Sequence, residues 1–239
     1  MRSPKTLARL AGAFYGLMFG LSIFASIVLN RIIVSGDPAT TASNIRQSTA
    51  LFRIGILSDL LQITCFLLAY MALYVLLKHV NQLAATAMVV FTAVSVGVYS
   101  LNLLNLYSAL MVATDTNYSQ AFGSAGSNAL AGMFADVQAN GYFVSGMFFG
   151  LLLLPFGYLV IKSRYFHTAL GVLLVIAGVG YIADVFARTL VPGYGTGITI
   201  LLIPGAVAEA LTILWLLIFG VRLPKATSPV APQRLQPTA

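Results

Sequence analysis

Charge is scarce in this chain: only 8% of its 239 residues are Asp, Glu, Lys or Arg, six of the residues are acidic, and 59% are hydrophobic. A soluble domain carries about a quarter charged residues, because a surface facing water needs them. Too few are present to cover a globule of this length, so the main solvent must be hydrocarbon, and the lipid bilayer is the first partner. A net charge of +7 is then a matter of loop placement rather than of nucleic acid, and no nucleic-acid partner is expected. Cysteine is nearly absent as well. Cys65 stands alone inside an apolar run, which excludes an internal disulfide and leaves it as a small filler. The two histidines, His79 and His167, sit at the ends of apolar runs, and no Cys/His spacing suits a metal. No metal, cofactor or catalytic residue is expected. No G-x-x-x-x-G-K stretch occurs, so ATP is not expected to drive any transport.

Long apolar runs are what the sequence does have. A span needs about 20 apolar residues at about 1.5 Å rise each to cross about 30 Å of hydrocarbon. Six stretches qualify, at about 10–33, 51–77, 83–113, 139–161, 168–190 and 198–221. Unpaired backbone groups cannot face lipid, and the runs lack the alternation of barrel strands, so all six are expected to be helices. The first run is too long for a signal-peptide core and is expected to be an uncleaved span. The expected fold is thus all-α: a polytopic six-helix transmembrane bundle over 1–223, then a disordered tail over 224–239.

Basic residues set the orientation. With the N-terminus inside, Arg2, Lys5, Arg9, Lys78, Lys162, Arg164, Arg222, Lys225 and Arg234 are cytoplasmic. Arg31, Arg46, Arg53 and Arg188 fall outside or near outer helix ends, together with the loop acids Asp37 and Asp115. This positive-inside bias puts both termini in the cytoplasm. The inner loops are tight. Outside, Asp37-Pro38 is expected to cap and start a short interfacial helix reaching Ser48. The Gly-, Ser-, Asn- and Thr-rich stretch from Thr114 to Asn128 reads as a loop. Ala8, Gly12, Gly16 and Gly20, and Gly146 with Gly150, let another backbone approach. Packing within the bundle is favoured over a homo-oligomer interface, which stays open as the alternative. Pro155 and Pro204 are expected to kink their helices.

Polar groups at membrane depth carry the most information. By helical rise, Asp59 lies about 12 Å, Asp184 about 10 Å and Glu209 about 17 Å below the outer surface. Gln62, Asn102, Asn105, Ser22, Ser26 and Ser145 fall in the same layer, while the inner half has almost no polar groups. Asp184 and Arg188 are four apart and can pair, with Arg53 expected to join them or Asp136 across helices. Arg53, Asp59, Gln62, Asn102, Asn105, Asp136, Asp184, Arg188 and Glu209 are therefore the candidate ligand-binding residues. Acids exceed arginines in this layer, which suggests a cationic ligand or exchangeable protons. The bland alternative is a satisfied network that fixes helix register, with Glu209 donating one hydrogen bond to Asn102 or Asn105.

Several stretches carry a resemblance. Phe52-Arg53-Ile54-Gly55 running to Asp59-Leu60, Asn102-Leu103-Leu104-Asn105-Leu106, Gly141-Tyr142, Phe148-Phe149-Gly150 and Gly157-Tyr158-Leu159 are the first of them. Leu170-Gly171-Val172-Leu173-Leu174, Gly180-Tyr181-Ile182-Ala183-Asp184 and Glu209 to Trp215 complete the set. Together they resemble a bacterial membrane family known as domain of unknown function 4386. The resemblance implies a six-helix protein of the bacterial inner membrane and implies no activity. This chain has Gln138 where the family pattern carries a histidine, so no role passes to that position.

The function best suited to these features is binding or gradient-driven transport of a small ligand, cationic by the excess of acids, in the outer half of the bundle. An intramembrane enzyme and a structural or regulatory subunit are the alternatives; the enzyme lacks a convincing catalytic spacing. Orientation is directly testable. A reporter fused after Arg222 is expected to read cytoplasmic and one inserted near Gly123 external; the reverse readings would overturn the assignment.

Overall fold

A computed structural model describes residues 3–191, 194 and 200–222. Arg2, residues 198–199 of the sixth run, and the tail 224–239 with Lys225 and Arg234 lie outside the described residues. Seven α-helices account for nearly all of the rest: α1 Pro4–Ile32, α2 Pro38–Gln47, α3 Thr49–Leu77, α4 Gln82–Thr114, α5 Thr116–Ser163, α6 Thr168–Leu190 and α7 Ile203–Ile218. A single 3-10 turn, Ile200–Leu202, precedes α7, and no strand occurs among the described residues. Six of these elements are long and apolar enough to cross a membrane; α2 is not among them.

Helix starts follow local chemistry. Ser3 accepts from the Thr6 amide with Pro4 in the first turn. Asn81 caps α4 through the Ala84 amide at 3.0 Å. His167 caps α6 with Nδ1 accepting from the Ala169 amide at 3.3 Å. Asp37 starts α2 as its spacing predicts, accepting from the Thr40 amide at 2.9 Å and the Thr40 hydroxyl at 2.6 Å. Those bonds from Thr40 hold the Asp37 carboxyl below the usual carboxylate range.

Two expectations need correction. The Thr114–Asn128 stretch is not a loop: after Asp115, which caps it, the chain is helical into the fifth element, with one break at Gly123. Gly123 has φ +70°, a left-handed conformation that glycine adopts without a Cβ penalty. Tertiary contacts override the loop-like composition. Arg46 of α2 donates to Asn128 at 3.1 Å, Ser127 donates to the Val112 carbonyl at 3.0 Å, and Pro38 lies against Gly132 with no space for a Cβ. The second correction concerns proline. Pro204 stands in the first turn of α7, directly after the 3-10 turn, rather than inside a longer helix; Pro155 does lie inside α5, whose one non-helical residue is Gly123.

The six long helices form a closed ring by contact, in the order α1, α3, α4, α5, α6, α7 and back to α1. The start of α1 and the segment after α7 meet at one end of it: Gly220 lies beside Lys5 and Ala8, and Arg222 donates its amide to the Tyr165 carbonyl of the α5–α6 turn at 3.1 Å. The same end carries His79 against Tyr165 and the Arg222 guanidinium over Trp215 at 4.8 Å. The opposite end carries α2.

Two apolar cores fill the bundle. One, toward the chain ends, draws on all six long helices, from Tyr15 and Tyr70 to Phe156, Leu174 and Leu216. The other, at the α2 end, is built by α1 to α4 with Ala131 of α5, and no buried residue of α6 or α7 joins it. Outward faces are apolar on every long helix, for example Ile27, Leu57, Leu104, Val172 and Leu214. Such a continuous apolar exterior suits lipid and not water.

Glycine lets the α5 and α6 backbones meet. A Cβ on Gly157 would stand 2.6 Å from the Gly171 carbonyl, and one on Gly150 2.8 Å from the Gly178 carbonyl. The two pairs recur seven residues apart on both α5 and α6, so one antiparallel seam brings the backbones together twice. Gly12 does the same for α1 against Leu216 of α7. Gly157→Ala is therefore expected to destabilise by about 1–3 kcal/mol, the usual range for overpacking. Gly97→Ala, where nothing lies within 4 Å, should be neutral or slightly stabilising in thermal unfolding of the detergent-solubilised protein.

Candidate functional site: a polar chamber between the two cores

Between the two cores lies a cavity of about 270 Å³ to which all six long helices contribute side chains. Met18, Phe19 and Ser22 come from α1, Gln62, Ile63 and Phe66 from α3, and Ser95, Val96 and Tyr99 from α4. Tyr142, Ser145, Gly146 and Phe149 come from α5, Tyr181 from α6, and Ala206 and Glu209 from α7. No lysine or arginine is in this lining.

Helical spacing explains who points inward. Gln62 and Phe66 are four apart on α3, as are Ser95 and Tyr99 on α4, Tyr142 and Gly146 on α5, with Ala206 and Glu209 three apart on α7. The walls are held by polar contacts to backbone: Ser95 donates to the Ser145 carbonyl at 3.2 Å, and Ser145 to the Tyr142 carbonyl at 2.7 Å. Tyr142 packs edge-on to Tyr99 at 5.6 Å.

Glu209 is the chamber's own carboxylate. Tyr181 donates its hydroxyl to Glu209 Oε1 at 3.3 Å. Gly205 makes this geometry available, since a Cβ there would stand 2.5 Å from the Tyr181 ring. Glu209 lies only six residues into α7, roughly 9 Å of helix, because that helix starts at Ile203. Its hydrogen bond goes to Tyr181, and not to Asn102 or Asn105 as the register-fixing alternative had it. Asp59 forms a second acidic pole on the α3–α4 side of the ring. It is 5% exposed, sits one turn from Gln62, and has the Tyr99 hydroxyl beside it. Each carboxylate thus faces a tyrosine from the next helix, with no basic partner recorded for either.

Below the chamber, toward the chain ends, aromatic rings close the bundle. Phe66 meets Phe149 at 5.6 Å and Tyr70 at 4.9 Å, and Tyr70 meets Tyr15 at 5.9 Å and Phe156 at 5.5 Å. The fully buried Tyr15 and Tyr70 hydroxyls lie beside each other, with no other polar partner among the described residues. Phe149 packs on Tyr181 at 4.7 Å, tying this floor to the Glu209 wall.

The remaining candidates go elsewhere. Asn102 donates to the Gln138 carbonyl at 2.8 Å and Asn105 to Asn102, so the pair staples α4 to α5 beside Gly141. Arg53 is on the exposed face of α3 and Asp136 on the exposed face of α5, and neither joins Asp184 in any recorded ion pair. Asp184 and Arg188 do pair, at 2.7 Å, as their spacing predicts. They line an adjoining cavity of about 230 Å³ that shares Tyr142, Gly146 and Tyr181 with the chamber. His79 and His167 stand at the opposite end, against Tyr165 and at the start of α6. Among the described residues no three His, Cys, Asp or Glu side chains converge on one point.

A ring of apolar-faced helices around a buried polar chamber defines a multi-pass helical membrane protein. Comparison adds a family: residues 10–220 match the model described as Domain of unknown function (DUF4386), and the chain belongs to that family. No curated protein and no solved structure matches the chain.

The Asp184–Arg188 pair yields a test. Asp184 is 4% exposed and its Oδ1 has no partner among the described residues. Arg188→Gln removes the donor to Oδ2 and leaves a buried carboxylate poorly matched, at a cost of roughly 3–5 kcal/mol. Asp184→Asn combined with Arg188→Gln is expected to unfold at a higher temperature than Arg188→Gln alone. Equal melting of the two would show that the pair is not energetically coupled.

Proposed function

We propose that this protein binds a small organic cation in the chamber, with Glu209 and Asp59 as its anionic poles and gradient-driven transport as the use of that site. The carrying observation is the lining itself: a carboxylate and the faces or edges of Phe19, Phe66, Tyr99, Tyr142, Phe149 and Tyr181, with no basic side chain. A carboxylate at membrane depth is tolerated when a proton or a cation matches it. Aromatic rings attract cations through their quadrupole, and desolvation strengthens both effects. Gln62, Ser22 and the tyrosine hydroxyls supply hydrogen bonds for an ammonium group.

Support over the alternatives comes from the same place. A purely register-fixing network would pair its acids and fill its space. Here Glu209 has a tyrosine as its recorded partner and a cavity in front of it. Transport from the outer side requires the Phe66–Phe149–Tyr70 floor to part; a sensor or binding subunit would keep it shut. The resemblance and the positive-inside bias support a bacterial plasma membrane as its location, with the chamber in the outer half.

Thermal stabilisation of the purified protein in lipid nanodiscs tests the reading, using tetramethylammonium and benzylamine against their neutral isosteres neopentane-like alcohols and benzyl alcohol. The cations are expected to raise the melting temperature saturably and the neutral compounds not. Glu209→Gln keeps the shape but removes the charge, and should weaken binding of protonated benzylamine at least about tenfold, as loss of a charged hydrogen bond does. Equal binding by parent and variant would sink the proposal.

A further inference from the structure

We infer that the chamber takes its ligand from the lipid side, through a gap between α1 and α7, and that this ligand is an amphiphile with an ammonium head and an alkyl tail. The inference rests on the cation-binding reading above and names the substrate class and the route.

The gap is built by the way α1 leaves α7. At Gly12 the two backbones touch, a Cβ standing 2.8 Å from Leu216 Cβ. One turn on, a Cβ at Gly16 would stand 3.6 Å from Ile213, and one at Gly20 would meet nothing within 4 Å among the described residues. Phe19, seven residues from Gly12 and so on the same stripe of α1, lines the chamber and is nevertheless 40% exposed. On α7 the facing residues are Ala206, exposed, and Glu209, part-buried. The α2-end core explains the separation: α1 belongs to it and α7 contributes no buried residue. The helices are pinned together at the end of the chain termini and part toward α2.

What lies outside the gap is hydrocarbon by the chemistry of its borders. Ile23 on α1 and Ile203 and Val207 on α7 are all exposed apolar side chains. A polar ligand arriving there would have to cross lipid, whereas an amphiphile already lies in it. Its head reaches Glu209 past Phe19, and its tail stays between α1 and α7.

The test uses the full chain in zwitterionic lipid nanodiscs and a series of alkyltrimethylammonium ions, from methyl through butyl and octyl to dodecyl. Binding is corrected for partition into lipid of protein-free discs. A tail in the gap exchanges lipid contacts for similar ones, so corrected affinity should stay within about threefold from butyl to dodecyl. Gly20→Trp, at a position with open space for a side chain, should cost the dodecyl ion at least about tenfold and the shorter ions progressively less. A dodecyl ion with a terminal diazirine should label α1 and α7. If short ions bind in a Glu209-dependent way but dodecyl does not, the lateral route is wrong and the cation site stands. Labelling of α5 and α6 would place the entry at the Asp184–Arg188 cavity and equally overturn it. If no member binds in a Glu209-dependent way, the cation-binding reading itself falls.

Discussion

The backbones of α5 and α6 meet twice without room for a Cβ, where Gly157 faces Gly171 and Gly150 faces Gly178. In lipid there is no hydrophobic force to drive helices together, so close backbone packing has to do more of that work. The seam fixes the spacing of α5 and α6 at the end of the chain termini and in the middle, and Gly12 against Leu216 fixes α1 and α7 at the same end. Beyond Gly150 the glycines give way to Gly146, Tyr142 and Tyr181, with nothing closer to a Gly146 Cβ than 3.9 Å. The chamber is the space this leaves.

Satisfaction of polar groups then decides the chemistry inside. Most hydroxyls in the spans donate back to a carbonyl one turn earlier, as Thr64, Thr92, Ser100, Ser108 and Thr212 do, and so need nothing from the bundle. The two asparagines of α4 are consumed in holding α5. Asp184 has Arg188. The Glu209–Tyr181 pair, Tyr99 and Gln62 instead border one space, with Asp59 beside Tyr99 one turn from Gln62. The site is defined by the polar groups that the fold does not use.

The division between what was legible in the sequence and what was not follows from this. The six spans were legible because length and apolarity are one-dimensional properties, and the cap at Asp37-Pro38 because it is local. Depth was legible too: Gln62, Ser22, Ser145 and Glu209 do share a layer. Azimuth was not. Arg53 and Asp136 have the right height and face outward, because a helix of mixed composition does not announce its neighbours. Tyr181 and Phe149 were missed for the converse reason. Aromatics at these heights look like lipid-facing bulk, and only Gly205, which makes room for the Tyr181 ring, distinguishes that position. The stretch before Asn128 was misread because Gly and Ser signal a loop in isolation, while contacts with α2 supply what propensity lacks.

Tyrosine as the partner of both carboxylates has a consequence for any bound cation. An arginine beside Glu209 would neutralise it permanently, and a cation would then have to displace a charge of its own sign. A tyrosine hydroxyl donates one hydrogen bond, leaves the carboxylate's other lone pairs available, and keeps the net charge of the wall negative when the acid ionises. The hydroxyl also rotates, so it can follow the carboxylate as a ligand arrives. Pairing with tyrosine therefore orients an acid without quenching it, whereas the Asp184–Arg188 pair next door does both. The same residue, Tyr181, reaches Phe149 in the floor, so a cation that shifts Glu209 also presses on the rings that shut the chamber from the other half of the bilayer. Tyr181 thus touches both the acid and the floor, and under the proposed reading it is the side chain through which an occupied site would bear on the floor.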